Sequence, residues 1–154
     1  MNTIQGTGAI VNVVCRDTPL LEFPSLHFGT DKNGNRLFDA TSYIQQQNLA
    51  DTLSVEDFFT KFDFQIQAIA KTYKLSASQL ACINQQGHQL IYGCLCYPFL
   101  SYVDPQFCAY MNEVIDEMFT TGIVISDSYL TTLVKRRLSP ELYKTIWDDT
   151  KDMA

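Results

Sequence analysis

The pair Asp104-Pro105 constrains this chain more than any other two residues, because it sets where a long helical pattern begins. A carboxylate at the N-cap accepts from backbone N–H groups two or three residues on, and proline at the first helical position gives up no needed donor. From there Phe107, Met111, Val114, Ile115 and Met118 recur at helical spacing as one apolar stripe, while Asn112, Glu113, Asp116 and Glu117 fall largely off it. Gly122 supplies the stop.

Upstream, the β-branched run Ile10, Val11, Val13, Val14, then Leu20-Leu21-Glu22-Phe23 and Leu26-His27-Phe28, reads as extended structure broken by Pro19 and Pro24. Asn33-Gly34, between Leu26-His27-Phe28 and Arg36-Leu37-Phe38, is a hairpin signal, since both residues tolerate positive φ. Two further helix starts are marked: Ser54 with Asp57, flanked by Leu53 and Phe58, and Ser76 with Gln79, flanked by Leu75 and Leu80. Helices are therefore expected near 41–49, 55–72 and 77–85, the last ended by Gly87; Gln89 to Tyr97 is ambiguous between strand and helix. Beyond Gly122, Asp127 caps a helix carrying Leu130, Leu133, Val134 and Leu138, and Ser139-Pro140 starts another with Leu142, Tyr143, Ile146 and Trp147.

The expected fold is α+β: a small N-terminal antiparallel sheet packed on helices, with a C-terminal helical pair. A domain over 1–122 carries an extension over 123–154 packed on the same unit. A chain of 154 residues with 46% hydrophobic content is long enough to bury a core unaided. Five cysteines, an odd and unframed set, fit reduced thiols in a reducing compartment. With no basic-then-apolar leader and no apolar run near the ~20 residues that span a bilayer, the expected location is cytoplasmic, with no membrane partner.

Two short motifs carry a resemblance. Tyr102-Val103-Asp104-Pro105-Gln106-Phe107 is similar to the aromatic, aliphatic, Ser/Asp, Pro, Glu/Gln, Phe signature near the end of the KilA-N domain. Phe38-Asp39-Ala40-Thr41, following the Asn33-Gly34 turn, resembles that family's Asn-Ala-Thr entry into a helix, with Asp for Asn. The motifs stand in the family's order and bracket roughly residues 8 to 122. The stretch Leu90 to Pro98 departs from the Tyr/Trp-Val-His-Pro run the family often carries there. The resemblance implies a regulatory module of phages or large DNA viruses, usually described as DNA-binding. Phage antirepressors are often built on the same family.

The formal net charge of −6 bears directly on that implication, because proteins that grip DNA present a basic patch. From Leu75 to Val134 there is no Lys or Arg, yet Asp104, Glu113, Asp116, Glu117 and Asp127 all lie in that interval. Lys32 and Arg36 flank the hairpin turn, with Asn33 beside them; these are candidate phosphate and base-edge contacts, or simply a solvated turn. Lys135, Arg136 and Arg137 are a second candidate for phosphates, or complement the dipole of their own helix. Glu113, Asp116 and Glu117 are either a solvated face or a surface for a basic protein partner.

No catalytic, metal or cofactor site is read from the sequence. Cys94 and Cys96, with Cys82, Cys108 and His88, lack the paired spacing of structural zinc. No signature supports a Cys–His nucleophile with His27 or His88, and no glycine-rich loop joins a strand to a helix. The sequence leaves two functions open: DNA binding in transcription regulation, or inhibition of a basic, nucleic-acid-handling host repressor or defence protein by an acidic antirepressor or anti-defence chain. Oligomeric state is open.

Overall fold

A computed structural model describes residues 10–18, 25–124, 127–137, 139–142 and 144–145. The expected strand at 20–23, and the positions Leu138, Tyr143, Ile146 and Trp147, lie outside the described residues. Strands β1 (Ile10–Val11), β2 (Arg16–Asp17), β3 (His27–Thr30) and β4 (Arg36–Asp39) precede helices α1 (Ala40–Gln46), α2 (Val55–Lys61), α3 (Asp63–Tyr73) and α4 (Ala77–Leu80). Then come β5 (Ala81–Asn84), β6 (Gln89–Tyr92), a single 3₁₀ turn at Gly93–Leu95, α5 (Cys96–Val103), α6 (Pro105–Thr121) and α7 (Asp127–Arg137). Positions 140–142 and 144–145 are also helical.

The class is α+β. One sheet runs β1-β5-β6-β4-β3-β2, antiparallel throughout except for the parallel β1–β5 pair. The Asn33-Gly34 signal produces the β3–β4 hairpin, with Gly34 at φ 83°. The sheet is not purely N-terminal, because its second and third strands in order, β5 and β6, come from the middle of the chain. That corrects the helix expected over 77–85. Ser76 does start a helix, its backbone N–H donating to Gln79 Oε1 at 2.9 Å, but only one turn survives. From Ala81 the chain alternates half-buried and buried and pairs with β6 on one side and β1 on the other. Ladder bonds and burial on both flanks outweigh the local helix signal. The helix expected over 55–72 is likewise divided, at Phe62, whose ring packs 5.3 Å from Phe58 and 6.1 Å from Tyr102.

Most of the core lies on one face of the sheet, where Phe38, Phe58, Ile66, Ile91, Leu95, Phe99 and Leu100 are almost wholly buried. Phe58 and Phe99 meet edge to face at 5.1 Å, joining α2 to α5. Leu37, Cys82, Leu90 and Val13 form a smaller cluster on the other face. Val13 belongs to a strap: β1 pairs at one edge of the sheet and β2 at the other, so 12–15 must pass from edge to edge. Five residue steps reach at most ~18 Å, whereas five flat strand spacings need ~24 Å. The sheet is therefore curled beneath the strap.

The chain forms two compact units, one running to Asn112 and the other from Glu113, so they divide inside α6, upstream of the boundary read at 122. Helix α6 begins and ends as its residues dictate. Gln106 N–H donates to Asp104 Oδ1 at 2.9 Å, and Gly122, at φ 77°, donates to the Met118 carbonyl at 2.9 Å. No helix among the described residues is long and apolar enough to cross a membrane.

Candidate nucleic-acid interface

Every residue of the first motif builds the fold. Phe38 and Ala40 are fully buried, and Thr41 Oγ1 accepts from the Gln89 backbone N–H at 2.8 Å, fastening α1 to β6. Asp39 caps α1 by accepting from Ser42 N–H at 2.8 Å, and its second oxygen lies 2.8 Å from His88 Nδ1. Asp39 is only 3% exposed, a burial that paired oxygens permit. The second motif does the same. Tyr102 donates its hydroxyl to Asp57 Oδ2 at 2.8 Å and accepts from Ser54 N–H at 3.3 Å, completing the start of α2 that Ser54 Oγ caps through Asp57 N–H. Phe107 is buried.

The hairpin tip is organised around a residue the sequence reading passed over. Asp31 Oδ1 accepts from the backbone N–H groups of Asn33 and Asn35 at 2.8 and 2.9 Å, and its Oδ2 from the Asn35 amide at 2.9 Å. The Asn35 amide, then the two backbone donors and Lys32, hold the Asp31 carboxyl below its ordinary range. Lys32 and Asn33 are exposed at this tip.

Arg36, at the start of β4, lies with its guanidinium carbon 3.6 Å from the centroid of the Phe28 ring. Stacking occupies one face of the guanidinium and leaves its in-plane donors available for a carboxylate or phosphate. Because β4 pairs with β6 in the register Leu37↔Tyr92, Arg36 comes beside Tyr92 and the turn that follows it. Arg36, Tyr92, Gly93, Cys94 and Tyr97 line an open pocket of about 130 Å³, a volume of the order that takes one aromatic ring. Gly93 is required for this closeness, since a Cβ there would sit 2.9 Å from the Arg36 carbonyl oxygen. Tyr97 is 44% exposed although its helix neighbours Cys96 and Phe99 are buried, and Tyr92 packs 6.3 Å from Tyr73. Neither tyrosine was singled out from the sequence; an aromatic facing out from a helix whose neighbours face in is the signal that marks Tyr97.

The remaining candidates belong to the second unit. Glu113, Asp116 and Glu117 are all exposed on α6, and Lys135, Arg136 and Arg137 are exposed in the last turn of α7. The hairpin cations and the α7 cations are therefore not parts of one compact body.

Three of the five thiols are buried or half-buried, and both imidazoles have polar partners. Burial pushes Cys15 and Cys96 up to about 12, and Cys82 is also raised by burial. His27 Nδ1 lies 3.2 Å from Ser42 Oγ. Among the described residues no group of three or more His, Cys, Asp or Glu side chains is placed to hold a metal ion. Compared with known proteins, the chain matches no family model, no curated protein and no solved structure.

Proposed function

We propose that the chain is a regulatory protein of a phage or another mobile element, built on a KilA-N-like module that contacts DNA through the β3–β4 hairpin and the pocket beside it. The observation that carries this reading is the juxtaposition of Arg36, stacked at 3.6 Å on Phe28, with exposed Tyr97 and with Tyr92 around a ring-sized hollow. Lys32 and Arg36 neutralise phosphates, and Tyr97 and Tyr92 stack an unpaired base. Every base has a π-face, so such a platform tolerates sequence. The resemblance draws support from the two motifs, whose residues cap, latch or fill the core of a single unit.

The test is fluorescence anisotropy of a short labelled single strand with the full chain. Tyr97→Ala is expected to weaken binding by about 1–3 kcal/mol, and Lys32→Ala to reduce the slope of log K against log salt by about 0.7. Binding unaffected by both substitutions removes this surface from the interface.

One observation favours a second reading, inhibition of a basic host protein. Glu113, Asp116 and Glu117 are exposed on α6, within the sixty-residue interval that holds no cation. Acidic complementarity of this kind speeds encounter with a basic groove. It predicts negligible affinity for DNA and a stoichiometric complex lost on Glu113→Lys with Glu117→Lys.

A further inference from the structure

From Phe64 to Val103 there is not one Asp or Glu, although the chain carries 17 acids. The formally charged residues of that interval are Lys71 and Lys74 alone. It folds as all of α3 but its first residue, then α4, β5, β6 and α5, within the unit that ends at Asn112. In a chain of net charge −6 this is the segment suited to an anionic partner.

The fold sets one of these cations beside exposed rings. Tyr73, the last residue of α3, is 55% exposed, and its ring centroid lies 6.3 Å from that of Tyr92, which lines the Arg36 pocket. Arg36, Tyr97, Tyr92 and Tyr73 thus form one connected surface. Lys74 follows directly as the C-cap of α3, at φ 54° and ψ 45°. Glycine is the usual residue in that conformation, because a Cβ is costly in the left-handed region. Lysine there gives up stability that glycine would keep, and what it supplies is a charge. The helix dipole accounts for Lys71 in the last turn without any such cost. Among the described residues neither Arg36 nor Lys74 forms an ion pair. Rings that stack bases and cations that meet phosphates are the two components of a surface for single strands.

We propose that a strand seated in the Arg36 pocket continues across the Tyr73 ring to Lys74, so that Tyr73 is a second stacking position and Lys74 a further phosphate contact for single-stranded nucleic acid. This rests on the nucleic-acid reading of the pocket and extends it to a longer strand.

The experiment measures anisotropy of labelled oligothymidines with the full chain, comparing a strand of about three nucleotides, enough for the pocket, with one of about eight. In the wild-type chain the longer strand should bind more tightly, with a salt slope steeper by about 0.7 for one added phosphate. Lys74→Gly should abolish that increment and weaken the longer strand by about fivefold or more, with no fall in the urea unfolding midpoint. Tyr73→Leu, which keeps an apolar contact to Tyr92, should weaken the longer strand by about fivefold or more, whereas Tyr73→Phe should bind it as the wild type does. Binding of the shorter strand should be unchanged by Lys74→Gly and Tyr73→Leu. A longer strand indifferent to both, while Tyr97→Ala still weakens it, overturns the extension and leaves the pocket reading standing. Equal loss of both strands in Tyr73→Leu assigns Tyr73 to positioning Tyr92, which overturns it too. Displacement of the longer strand by poly-glutamate as readily as by unlabelled oligothymidine makes the surface one for an acidic peptide and overturns the stacking. A wild-type chain that binds neither strand removes the pocket reading and the extension together.

Discussion

At Thr41 a single oxygen joins two parts of the chain that are 48 residues apart, through the 2.8 Å bond from Gln89 N–H. Valine keeps the shape of threonine at that position and has similar helix propensity, so Thr41→Val isolates the hydroxyl. It leaves a partly buried backbone donor without its acceptor, and the expected cost is about 1–2 kcal/mol, read from urea unfolding midpoints; an unchanged midpoint contradicts the latch. Asp31 gives a pH dependence. Its carboxyl is held below the ordinary value of 3.8, first by the Asn35 side chain and then by the backbone donors of Asn35 and Asn33. The folded value is depressed, so the stabilisation is present above the ordinary value and is lost as pH falls through the depressed one. Asp31→Asn should therefore lower stability at neutral pH and flatten the acid limb of the stability curve below 3.8. An acid limb identical in the two proteins contradicts it.

At the scale of elements, what was legible in the sequence is what neighbouring residues decide among themselves. Asn33-Gly34 makes its turn through positive φ at Gly34, and Asp104-Pro105 opens α6 through one carboxylate. Strand β5 was not legible because its residues follow a genuine helix start, and only pairing with β6 and β1 makes Ala81–Asn84 extended. The strap was hidden for the same reason, since nothing near Val13 announces that it will cross the sheet. Gly29 marks where it passes: a Cβ there would lie 2.6 Å from Val13 Cγ1 and 2.9 Å from the Val14 carbonyl oxygen. Gly29→Ala should destabilise the fold by about 1–3 kcal/mol through overpacking. The same change combined with Val13→Ala should recover part of that loss, because the clashing methyl is gone. Additive costs contradict a strap seated on Gly29. The candidate site divides along the same line. Arg36 was legible as one of two cations flanking a turn, whereas its tyrosine neighbours arrive through the Leu37↔Tyr92 register.

For the whole molecule the deciding quantity is charge. Before Glu113 there are nine acids and six bases, and from Glu113 onward eight and five, so each unit contributes −3 to the total of −6. On the proposed reading, nucleic-acid contact by such a chain is local, resting on the Lys32 and Arg36 charges and on stacking. Two phosphates neutralised on a single strand correspond to a slope of about −1.4 in log K against log salt, far shallower than that of a strongly basic DNA-binding protein. The central claim is tested most directly by titrating the wild-type chain against a short single strand over a range of salt concentrations. The account predicts saturable binding with a slope near −1.4 and partial loss of tyrosine fluorescence as bases stack. Absence of binding at low salt, or binding with no salt dependence and unaltered tyrosine emission, contradicts it.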